Sequence, residues 1–150
     1  MKLDWIIIAE GIGRDAKGAL TLIGLNQNVF VAPTLPAVTK RAVVAHFVDD
    51  GDTPKSGDIL SFKLSVISPS GETVSAQQGQ AAIGQALWPD PTPTFDLPAE
   101  ITINCAEYGS YRLEVEVQFG ASQGSGGSVN LYVKEPAADG AIGSLTPSAG

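Results

Sequence analysis

From Tyr111 to Phe119 apolar and polar residues alternate without a break. Tyr111, Leu113, Val115, Val117 and Phe119 point one way, and Arg112, Glu114, Glu116 and Gln118 the other. A period of two marks a strand with one buried and one wet face, so the surrounding chain has to supply a sheet and a second layer to cover the apolar side.

The remaining apolar segments fit that demand. They are rich in Val, Ile, Leu and Thr and are punctuated by 17 glycines and 10 prolines, with no convincing helical stripe between them. This pattern predicts strands near 3–12, 19–31, 41–49, 59–68, 73–80, 100–106, 110–119 and 128–135. The expected fold is all-β: a two-sheet antiparallel β-sandwich of about eight strands, immunoglobulin-like or jelly-roll-like. The short Gly-containing links 15–18 and 68–72 predict hairpins. The Gly/Ser-rich link 120–127 predicts a longer, mobile hairpin loop. Segment 86–99 contains four prolines, which supply no ladder donor, and is expected to be a loop or an edge. Tyr108 and Tyr111 suggest a tyrosine corner, in which a hydroxyl at the start of a long strand bonds back to upstream backbone.

Leu60, Phe62, Leu64 and Val66 alternate with polar neighbours, as do Val129, Leu131 and Val133. Segments 5–9 and 42–48 are instead apolar on both sides. That implies either burial by loops or a second surface covered by another molecule.

A chain of 150 residues fits one domain, here 1–135, followed by a small, Gly/Pro-containing tail at 136–150. The single cysteine, Cys105, cannot form an internal bridge, which suits a reducing compartment. Asp4 and Glu10 flank the apolar run 5–9, so it does not read as a signal peptide, and no run is long enough to span a bilayer. The expected location is the cytoplasm, away from membranes. A net charge of −7 with scattered basic residues argues against nucleic acid as a partner.

Four motifs carry candidate chemistry. Gly11, Gly13 and Ala16 match a dinucleotide-binding turn, but a strand follows in place of the required helix and no acidic residue stands near position 36 to hold a ribose; a glycine-relieved hairpin is the simpler account. Asp49, Asp50, Asp52 and Asp58 form the candidate metal site, since clustered loop carboxylates supply the hard oxygen ligands of calcium. Their spacing does not fit an EF-hand, and solvated turns are also rich in Asp. His46 and Cys105 could form a nucleophile pair only if the fold brought them together, and both fall inside predicted strands. Trp88, ringed by Pro89, Pro91 and Pro93, is with Phe95 the candidate ligand-binding pair, because a rigid loop presenting an aromatic loses little entropy on binding. The competing account is that Trp88 plugs one end of the sandwich.

Several segments together resemble a family of small bacterial proteins of unknown function: DWIIIAE at 4–10, DAKGALTLIG at 15–24, PTLP at 33–36, the strand 42–48, YRLEVEV at 111–117 and LYV at 131–133. The resemblance spans roughly residues 3–135. It implies a β-sandwich and brings no catalytic or ligand residues with it.

These readings predict a non-enzymatic protein without a cofactor, working through a protein partner or as a homo-oligomer. The alternative is a small-ligand or carbohydrate-binding module built on the Trp88 loop, with calcium assistance from the aspartates.

Overall fold

The computed structural model describes residues 1–48, 51, 58–82, 94–120 and 124–138. Among these the chain forms nine strands and no helix: β1 (Lys2–Arg14), β2 (Leu20–Leu25), β3 (Val29–Val31), β4 (Ala37–Val48), β5 (Ile59–Ile67), β6 (Thr73–Ala82), β7 (Thr94–Cys105), β8 (Gly109–Phe119) and β9 (Ser125–Lys134). A four-stranded sheet runs in the order β2-β1-β4-β7 and a five-stranded, curled sheet in the order β3-β9-β8-β5-β6. All neighbours are antiparallel except β3 and β9, which pair in parallel. The architecture is the β-sandwich that the alternation demands.

Its core lies where the two inner faces meet. Tyr111, Leu113, Val115, Val117 and Phe119 of β8 are buried with Leu60, Leu64 and Val66 of β5 and Leu131 and Val133 of β9. Ile8, Val43, Ala45, Phe47, Ile101 and Ile103 answer from the four-stranded sheet. Each fully buried side chain of this size contributes roughly 1.5–3 kcal/mol relative to exposure, so alternation on the central strands sets the fold.

The predicted hairpins are present. β1 and β2 join through a turn in which Asp15 accepts the amides of Lys17 (2.8 Å) and Ala19 (2.9 Å) on Oδ1, while Gly18 takes φ 83°. Gly11 and Gly13 lie within β1, opposite Ile23 and Thr21, so the glycine motif serves a strand. β5 and β6 join at Ser68 and Glu72, with Gly71 at φ 90°.

Several boundaries differ from expectation: β4 begins at Ala37 instead of 41 and β7 at Thr94 instead of 100, and two further runs divide differently. The apolar run 19–31 is two strands in two sheets, because Gly24 and Asn26 adopt positive φ (62° and 57°) and turn the chain from β2 across to β3. The run 124–127 is not loop: β9 begins at Ser125, and Gly126 and Gly127 pair with Glu116 and Val115. Both glycines are close-approach positions, since a Cβ on Gly127 would lie 2.3 Å from Leu3 Cδ2 and one on Gly126 would lie 2.5 Å from the Val115 carbonyl oxygen. Residues 121–123, and 139–150 of the tail, fall outside the described residues. Segment 86–99 enters the description only at Thr94, where it forms the start of edge strand β7. Pro98 is tolerated there because its missing donor falls on a strand with a neighbour on one side only.

The two sheets are laced together along both sides. On one, Ser125 Oγ accepts the Leu3 amide (2.8 Å); on the other, Gln77 Nε2 donates to the Glu100 carbonyl (2.9 Å). The tyrosine corner is formed: the buried Tyr111 hydroxyl donates to the Glu107 carbonyl (3.0 Å) and accepts the Glu107 amide (3.2 Å). Tyr108 donates to the Ala32 carbonyl (3.0 Å), which ties the corner to the end of β3.

The Glu107 carboxylate closes this end of the molecule by accepting from the Ser70 hydroxyl (2.7 Å) and amide (3.0 Å). These bonds, the hydroxyl first, hold its pKa below the ordinary glutamate range. A lowered carboxylate pKa stabilises the fold above the unfolded-state value, about 4.3, and that contribution disappears as the pH falls through the native value. Glu107→Gln is therefore expected to lower the urea midpoint at pH 7 and to match the wild type once the acid is strong enough to protonate Glu107. Parallel midpoint shifts at both pH values would refute it.

Candidate functional site

The outward face of the four-stranded sheet carries the most distinctive side chains. In register across it, Trp5 stands opposite His46 and His46 opposite Asp96; Ile7, Val44 and Pro98 form the next row; Leu25, Ala9, Ala42 and Glu100 form the third. Ile23, opposite Gly11, extends the apolar surface along β2.

Trp5 falls on this face by alternation with Ile7 and Ala9, and a β-bulge lies just before it. Simple alternation would align Trp5 with Leu3, but the β1–β4 register shifts between them, so Leu3 opposes Phe47 on the core side while Trp5 opposes His46 on the outer side. The indole then stacks on the imidazole, with centroids 4.8 Å apart and planes 11° from parallel. The imidazole is fixed in turn by Nδ1–H donating to Asp96 Oδ1 at 2.6 Å. A carboxylate only accepts, so Nδ1 carries the proton of this bond. Three strands thus hold one aromatic platform in a single orientation.

Solvent access differs sharply over this surface. Ala9, Ala42 and Val44 are buried, whereas Trp5 is 39% exposed, Ile23 56% and Leu25 53%. The expectation that 5–9 and 42–48 are apolar on both faces therefore resolves into a closed centre and an open apolar margin. At the other end of the face, Lys40 and Glu100 form an exposed ion pair at 3.0 Å, worth at most about 1 kcal/mol in solvent.

Of the residues singled out from the sequence, His46 belongs to this platform, whereas Phe95, Asp58 and Cys105 do not. Trp88, Asp49, Asp50 and Asp52 lie outside the described residues, and Asp58 is an exposed residue just before β5. Among the described residues no three His, Cys, Asp or Glu side chains group to hold a metal ion. Phe95 packs inward against the core, 6.3 Å from the Phe47 ring and 6.4 Å from Phe119.

His46 and Cys105 stay far apart. His46 is on the outer face opposite Asp96, and Cys105 is buried opposite Ala37 at the far end of the same ladder. At a rise of about 3.3 Å per residue that is roughly 30 Å along the strands. Burial also pushes the Cys105 thiol up, against a smaller opposing pull from Arg41, so it is not poised as a thiolate.

The bulge before Trp5 has one signal in the sequence, Asp4, a charge inside an apolar strand and the place where a bulge can leave a side chain unpaired.

The chain matches no protein-family profile and no curated protein. Among the described residues no helix is long and apolar enough to cross a membrane.

Proposed function

We propose that this protein works by contact with another protein, as an assembly subunit or adaptor, and that the outer face of the four-stranded sheet with its β2 margin is the docking surface. The observation that carries the reading is the exposure of Trp5, Ile23 and Leu25 on one sheet face. A fixed indole and aliphatic side chains along one sheet face suit an interface, because they bury area on binding while the held indole loses little conformational entropy. β2 is also an edge strand, and an apolar edge invites strand pairing unless it is covered.

The role is non-enzymatic and cytoplasmic, in keeping with a lone buried thiol and with the resemblance to bacterial β-sandwich proteins. The partner is protein, either a second copy or a different chain, and neither nucleic acid nor membrane.

Replacing Ile23 and Leu25 together by Asp is expected to reduce the native mass, measured by light scattering, to that of a single chain, or to abolish co-purification of one defined partner. The circular dichroism spectrum should be unchanged, since both side chains already face water. A wild-type protein that is strictly monomeric at high concentration and brings no partner from its source would overturn the proposal.

A further inference from the structure

The outer face of the five-stranded sheet carries a different kind of surface. A groove of about 400 Å³ opens there, lined by Ser61, Lys63, Glu116, Gln118 and Gly126 among others. That volume lies within the range of about 300–1,000 Å³ typical of small-molecule sites. It does not stand alone. A hollow of about 310 Å³ continues past Glu116 and Gly126 towards Ser128, and one of about 210 Å³ continues past Lys63 to Gln78. The three form a furrow over β9, β8 and β5, reaching edge strand β6.

The furrow exists because β9 presents no side chain where the other strands do. Gly126 stands in register with Glu116, and Glu116 with Lys63. The glycine is required by its close approach to the Val115 carbonyl, and the missing side chain leaves room above it.

The lining is chemically specific. Ser61 and Gln118 oppose one another, as do Lys63 and Glu116, and Gln78 opposes Lys63 from β6. None of these five side chains forms a hydrogen bond or ion pair within the described structure. They offer two amides, a hydroxyl, a carboxylate and an ammonium, a set rich in both donors and acceptors. One positive and one negative charge cancel, so the furrow does not select an ion. β8 and β5, which form the floor of the furrow, have ladder partners on both sides, so an extended peptide laid over them finds no free backbone groups there.

We propose that this furrow binds a short neutral oligosaccharide, whose vicinal hydroxyls both donate and accept and so match the mixed side-chain set. The site is separate from the docking face on the opposite sheet.

The test is nitrogen-15 NMR on the full chain with maltotriose, cellotriose and chitotriose as probes. Saturable shifts are expected with at least one of them, confined to the amides of Ser61, Lys63, Glu116, Gln118 and Gly126 and the side-chain amides of Gln78 and Gln118. Glu116→Ala and Gln118→Ala should each weaken that probe at least about tenfold, while Lys17→Ala, in the distant β1–β2 turn, leaves it unchanged. Glu116 and Gln118 face solvent, and the wild-type shift map stands even if a variant folds poorly. The absence of shifts with all three probes, shifts elsewhere on the molecule, or binding that survives both alanine variants would each overturn the site.

Discussion

Phe47→Ala is expected to lower the free energy of unfolding by about 3–5 kcal/mol, the range for removing a buried aromatic ring. Phe47 has no exposed surface and sits at the junction of the sheets. Its ring meets Phe119 of the five-stranded sheet edge-on, at 5.9 Å and 76°, and Phe95 of its own sheet at 6.3 Å. Phe95 and Phe119 also meet edge-on, at 6.4 Å and 88°. Such aromatic pairs add about 0.5–1.5 kcal/mol each beyond buried area, and truncation at Phe47 breaks two of the three while leaving a cavity. Against a typical stability of about 5–15 kcal/mol, this is a large loss. Val38→Ala is the matched comparison on the same strand; with its side chain largely exposed, it should stay within about 0.5 kcal/mol of wild type. Equilibrium urea unfolding of the three proteins decides the matter, and a Phe47→Ala cost below about 1 kcal/mol would mean that the ring cluster does not bind the sheets together.

The same cluster shows how far sequence patterning reaches. Phe119 was legible as core because it ends an unbroken alternation, and Phe47 because it lies within an apolar strand. Phe95 was not, because it stands among prolines that hid the start of β7; only its pairing with Phe47 across the ladder gives it an inward direction. The division of 19–31 has a comparable origin. Alternation is blind to which sheet a strand joins, so the run 19–31 read as one strand although the positive φ at Gly24 and Asn26 sends its two halves to different sheets. The parallel pairing of β3 with β9 depends on residues about a hundred positions apart in sequence, beyond any local signal. The outer face of the four-stranded sheet was half legible: the two-sided apolar strands were plain, but the bulge that sets Leu3 on the core side and Trp5 on the outer side was not. The furrow was not legible, since Gly/Ser-rich sequence reads as loop and only close packing reveals that the glycines belong to a strand.

That last point yields the second large effect, in Gly126→Ala. An added Cβ would lie 2.5 Å from the Val115 carbonyl oxygen and 3.4 Å from Glu116 Cα, and both obstacles are backbone. A flexible side chain could swing aside, but a ladder carbonyl on the central strand β8 cannot move without disturbing its pairing. The expected cost is therefore at the upper end of the overpacking range of about 1–3 kcal/mol. Gly127→Ala meets only the Leu3 side chain, whose terminal methyl can give way, and should cost less. Gly11→Ala, where nothing lies within 4 Å, should be neutral or slightly stabilising, because alanine removes the entropic penalty of glycine in a strand. The order Gly126 over Gly127 over Gly11, measured by urea unfolding, separates steric demand from mere conformational freedom. If all three substitutions cost the same, the close approach of β9 to β8 is not what requires glycine. The furrow above Gly126 would then be open for a reason of its own, independent of the ladder.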